Sequence, residues 1–168
     1  MRSPVCRIAN VLFLVVGLLA FTILPLHPNQ IAGAKMLNIT QEQLDGMAFD
    51  KIVRKLDAAL SRDVPGFADL SAADRAEFFE QSVGAAQSRG LLTEQGIASY
   101  VLAVWWLGLD FERVSQALKA LLESDYPEVR KVHAMNEWVH AAIGDPENIA
   151  AADVKIGEAL KATEAWGK

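Results

Sequence analysis

Hydrophobic positions between residues 35 and 168 recur every three or four residues, which is the spacing of amphipathic helices rather than of strands. The first helical stretch opens with the capping-box pattern Thr40 and Gln43 and runs to about Ser61. Its apolar positions are Leu44, Met47, Ile52, Val53, Leu56 and Leu60. Asp63-Val64-Pro65-Gly66 predicts a turn before the next stretch.

The second stretch begins at Ser71, with Asp74 three residues later, and ends at Gly90, because glycine suits a left-handed helix stop. Its inward positions are Phe78, Phe79 and Val83. A third stretch, at about 94–107, opens with Thr93 and Glu94, and from Ile97 to Leu107 only Ser99 and the Tyr100 hydroxyl are polar. A helix of that kind must be covered all round, so we predict that it lies at the centre of the fold.

Three more helices complete the pattern. Asp110 is predicted to cap a fourth helix, whose apolar positions are Val114, Leu118, Leu121 and Leu122. Tyr126-Pro127 marks the start of a fifth helix, which runs to about Gly144. Asp145-Pro146 begins the last one, with Ile149, Ile156 and Leu160 as its apolar positions. Short loops favour antiparallel neighbours, so we predict an all-α, compact single-domain bundle of five to six helices over residues 35–168.

The N-terminal segment has the order of a secretory signal peptide. Arg2 and Arg7 precede the apolar run Val11–Leu26, and the small residues Ala32-Gly33-Ala34 follow. We therefore predict a signal peptide at residues 1–34, with an uncleaved inner-membrane anchor as the alternative. The run of 16 residues would reach only about 24 Å as a helix, which favours the signal peptide. Both interpretations place the domain in the periplasm or outside the cell, since the basic residues precede the apolar run.

Cysteine and charge narrow the class of protein further. Cys6 is the only cysteine and lies ahead of the apolar run, where a lipoprotein acceptor would not be. Residues 1–34 hold two of the 16 basic residues and none of the 21 acidic residues, so the remainder has a net charge of −7. A domain this acidic is unsuited to nucleic acid and favours basic partners. Membrane contact is expected only if the N-terminal segment stays uncleaved.

One group of residues has metal-ligand types at helical spacing. His133, Glu137 and His140 lie at i, i+4 and i+7, and Glu-x-x-His is the spacing that carboxylate-bridged di-iron bundles use. Their strip lies beside the predicted buried stripe, at the boundary with solvent, and no second Glu-x-x-His exists in the chain. A metal- or small-ligand-binding bundle is therefore the alternative, and the main prediction is that no metal or cofactor is bound.

The tryptophans are the candidate anchors for a partner. Trp138 lies opposite the apolar stripe of its helix, so an outward orientation and a partner contact are predicted, with cover by the C-terminal helix as the alternative. Trp105 and Trp106 project about 100° apart and are predicted to pack in the core, with a partner contact if either is exposed. Trp166 lies in the C-terminal tail.

The sequence contains few of the residue patterns that catalytic sites require. Residues 35–168 contain no thiol and no Gly-x-Ser-x-Gly elbow, and the carboxylate pairs Asp74/Glu77 and Glu77/Glu80 have the spacing of exposed helix faces. We predict that the chain is not an enzyme. A small hydrolase with a site built from helix-end carboxylates is the alternative.

The segment Gly90–Phe111 carries a resemblance to a family. It combines Gly90–Ile97 (GLLTEQGI), Tyr100-Val101 and Leu107–Phe111 (LGLDF). This pattern resembles small helical proteins encoded near type VI secretion toxins and other contact-dependent toxins of Gram-negative bacteria. The resemblance implies an accessory role, as an immunity protein or as an adaptor for a secreted effector, and carries over no functional residue. The export segment departs from the family pattern and suits an immunity protein that guards the periplasm.

These observations predict an exported, non-enzymatic protein-binding domain. Its expected partner is another protein, namely a toxin or effector, and its expected role is to neutralise a secreted toxin that acts in the periplasm.

Overall fold

The computed structural model describes residues 41–166, with side chains from Phe49 onward. The predicted signal segment and the capping residue Thr40 lie outside these residues. Six α-helices and two short 3₁₀ helices make up the described part, which contains no strand. They are α1 (Gln41–Asp63), a first 3₁₀ helix (Phe67–Asp69), α2 (Ala72–Ser88), α3 (Glu94–Leu107), a second 3₁₀ helix (Phe111–Val114), α4 (Gln116–Glu123), α5 (Glu128–Gly144) and α6 (Ile149–Ala162). The all-α prediction is confirmed. Within residues 41–166, no helix combines the length and the apolar character needed to cross a bilayer.

Local side-chain chemistry sets most helix boundaries. The hydroxyl groups of Ser71 and Thr93 accept hydrogen bonds from backbone N–H groups in the first turns of α2 and α3, as the sequence predicts. Gly90 and Gly108 have φ angles of 72° and 88°, and both follow a helix end. Glycine adopts these angles without steric cost, which explains why both helices stop where predicted.

Helix α3 lies at the centre of the molecule. Every residue from Gly96 to Val104 is buried, which confirms the prediction of a central apolar helix. Helices α2 and α5 pack against α3, and α5 in turn packs against α4 and α6. Helix α5 is thus covered on more than one side, and its buried surface is broader than a single stripe.

The prediction for the fourth helix is wrong at its start. Asp110 precedes a 3₁₀ helix, and α4 begins only at Gln116, where the Ser115 hydroxyl accepts a hydrogen bond from Leu118 N–H at 2.9 Å. Val114, predicted to face inward, is 59% exposed. Phe111 and Glu112 face the core instead, so the chain turns before α4 and rotates Val114 outward.

The last helix also begins later than predicted. Helix α6 starts at Ile149, and the side chain of Asn148 caps it by accepting a hydrogen bond from Ala151 N–H at 3.2 Å. Asp145 and Pro146 lie in the preceding loop. The Asn148 side chain therefore sets the boundary that the sequence assigned to Asp145-Pro146.

Candidate functional site

The three residues of the alternative metal site lie along one strip of α5. Glu137 and His140 are exposed and His133 is half-buried, at the predicted boundary with solvent. The His133 ring packs against the Trp166 ring, with 5.3 Å between centroids. Within the described residues, no three or more His, Cys, Asp and Glu side chains are arranged to hold a metal ion. The structure therefore does not bring His133, Glu137 and His140 together as ligands.

The predicted outward orientation of Trp138 is wrong. Its side chain is 0% exposed, and its Nε1–H donates to Asp153 Oδ1 at 2.8 Å. Helix α6 covers this side of α5, so Trp138 is a core residue and not a surface anchor. The sequence feature that could have indicated this burial is Asp153. It lies at helical spacing from Ile149 and Ile156, on the apolar face of α6.

The prediction of core packing holds for Trp105 and Trp106. Both are half-buried and pack against the core. The Trp105 ring lies 5.1 Å from Phe67 and 5.8 Å from Phe78, in edge-to-face arrangements that aromatic pairs favour. These rings join the turn after α1 to α2 and α3.

A buried polar cluster, which the sequence analysis missed, links three segments near the start of the second 3₁₀ helix. Glu112 has a side chain only 7% exposed, and its Oε2 lies 2.6 Å from Arg89 Nη2 in an ion pair. Its Oε1 accepts a hydrogen bond from the Tyr100 hydroxyl. Burial, followed by the hydrogen bond to Glu112, raises the pKa of Tyr100 well above its usual value. The cluster holds the turn after α3 against the end of α2.

A second carboxylate joins the starts of α3 and α5. Glu128 Oε1 accepts hydrogen bonds from Leu92 N–H at 3.1 Å, Thr93 N–H at 2.9 Å and the Thr93 hydroxyl at 2.7 Å. A negative group in this place satisfies N–H groups at the start of α3 and interacts favourably with the helix dipole. Gly96 provides the space, because a Cβ there would lie 2.1 Å from Glu128 Oε1.

The buried polar side chains of residues 49–166 make hydrogen bonds or ion pairs within the domain. Ser82 and Thr163 donate to carbonyl oxygens one turn earlier in the chain, and the other four bond or pair with a different segment; they are Ser99, Glu112, Ser115 and Lys131. Lys131 Nζ, for example, donates to the carbonyl oxygen of Leu122 at the end of α4. The exposed side chains are considered next, because a partner protein would contact these first.

One corner of that surface is rich in exposed aromatic and aliphatic groups. We call it the aromatic corner and define it as Tyr126, Val129, His133 and Trp166. Val129 and His133 lie one turn apart on α5, and Tyr126 comes just before that helix. The guanidinium of Arg130 lies 4.8 Å from the centre of the Tyr126 ring and donates to Leu160 O at 2.8 Å. The corner therefore joins the start of α5 to the end of α6.

The outer face of α2 is acidic. Asp74, Glu77 and Glu80 are all exposed. The one basic residue of α2, Arg75, lies 2.9 Å from Asp57 of α1 and so is already paired with a carboxylate. The α2 face therefore has an excess of negative charge that a basic partner would neutralise.

Comparison with known proteins identifies no relative. No protein family, curated protein or solved structure matches the chain. The resemblance of Gly90–Phe111 to toxin-associated helical proteins stays a prediction. Geometry and charge are then the grounds on which a function is proposed.

Proposed function

We propose that this chain is an exported, non-enzymatic domain that binds a basic toxin and neutralises it in the periplasm. The proposal rests on the different roles of the buried and the exposed polar side chains. Most of the buried ones link separate segments of the chain, and the exposed ones include an acidic face on α2, whose single basic residue is paired with Asp57. Such a face attracts a positively charged protein over a distance of about one Debye length and favours the correct approach.

Neutralising a toxin requires both the right compartment and the right surface. The apolar run Val11–Leu26 with the basic residues ahead of it supports export. In the compartment outside the inner membrane, the domain would meet an incoming toxin before that toxin reaches the wall or membrane. An adaptor for a secreted effector could use the same surfaces, but it would not protect the cells that make it.

A survival assay tests this function. The candidate toxins are the proteins encoded by the genes adjacent to this one. Each is exported to the periplasm of two host strains, one that makes this protein and one that does not. We expect the full chain to restore growth against one of them and the chain without residues 1–34 to fail. If no adjacent product is toxic in the periplasm, or if the full chain gives no protection, the immunity function is wrong.

A charge-reversal pair tests the acidic face. We expect Glu77→Lys combined with Glu80→Lys to weaken binding of the purified toxin at least tenfold and to make it less sensitive to salt. The matched control reverses Asp145 and Glu147, which are also exposed but lie in the loop before α6. This control changes the net charge by the same amount. If both pairs weaken binding equally, the net charge of the protein attracts the toxin and the α2 face is not its binding site.

Mass spectrometry tests export independently. Protein recovered by osmotic shock should lack residues 1–34 if the signal peptide is cleaved. Full-length protein in the membrane fraction would instead support the anchor, and protein found only in the cytosol would remove the proposed role altogether.

A further inference from the structure

We draw no further inference here: the strongest candidate, the aromatic corner between the start of α5 and the end of α6, carries none, because nothing in the described part of the structure shows what covers its exposed side chains.

Discussion

Gly96 is the residue at which α3 leaves room for a side chain of α5. Its missing side chain leaves room for Glu128, whose Oε1 accepts hydrogen bonds from two backbone N–H groups and one hydroxyl at the start of α3. A carboxylate in this position stabilises the first turn of α3 electrostatically. The contact requires that residue 96 has no Cβ, so a substitution that adds one methyl group tests it.

We expect Gly96→Ala to lower the free energy of unfolding by about 1–3 kcal/mol, because the carboxylate must move away and its hydrogen bonds are lost. The matched control is Gly84→Ala on α2, an exposed glycine with no heavy atom within 4 Å of the added Cβ. Alanine has the higher helix propensity, so the control should gain up to about 1 kcal/mol. Urea unfolding of both proteins measures the difference, and equal effects would mean that Glu128 does not hold α3.

Single residues show where sequence reasoning reaches its limit. Ser71, Thr93, Gly90 and Gly108 act on backbone within a few positions of themselves, so their roles as caps and stops could be predicted. The burial of Trp138 depends on a helix that lies further along the chain, and the periodicity of α5 alone does not contain that information. Asp153 on the apolar face of α6 was the clue that would have paired the two helices.

At the scale of elements, the turn between α3 and α4 shows how two inward side chains override a periodic pattern. Phe111 packs on Tyr100, with 5.1 Å between ring centroids, and Glu112 pairs with Arg89. A buried ion pair adds little net stability, because removing both charges from water offsets most of their attraction. The apolar series from Val114 onward predicted one helix, but it could not show that a charged residue just before it would be buried.

The buried cluster of Tyr100, Glu112 and Arg89 should make the protein less stable at alkaline pH. The pKa of Tyr100 is raised in the folded protein, first by burial and then by the hydrogen bond to Glu112, whereas an unfolded tyrosine ionises near pH 10. Above about pH 10 the folded chain holds one proton more than the unfolded chain. Its free energy of unfolding should therefore fall by about 1.4 kcal/mol per pH unit from this group, and it should show no such slope below pH 9.

Tyr100→Phe should flatten this alkaline decline, because the ionising group is removed while the ring still packs on Phe111. Tyr126→Phe is the control, since the Tyr126 side chain is exposed. Urea titrations at pH 8, 9, 10 and 11 would measure the slope for the native chain and both variants. A slope for Tyr100→Phe as steep as that of the native chain would show that another group causes the decline.

At the scale of the whole molecule, the helices share one core built around α3. The all-α class, the central position of residues 94–107 and the number of helices could be predicted, because each depends on the periodicity of nearby residues. The placement of the aromatic corner could not, since it brings the start of α5 together with the chain after α6. One shared core also implies that the helices unfold together.

Helix α6 provides the sharpest test of that cooperativity. The full chain should show one unfolding transition, with tryptophan fluorescence and far-ultraviolet circular dichroism coinciding. A chain that ends at Pro146 loses α6, which exposes Trp138 and removes its acceptor Asp153, so we expect a red-shifted emission and no cooperative transition. The matched control ends at Thr163 and keeps α6 and both of these contacts, and it should unfold like the full chain. If the chain that ends at Pro146 still unfolds cooperatively, α6 packs on a core that is already complete without it.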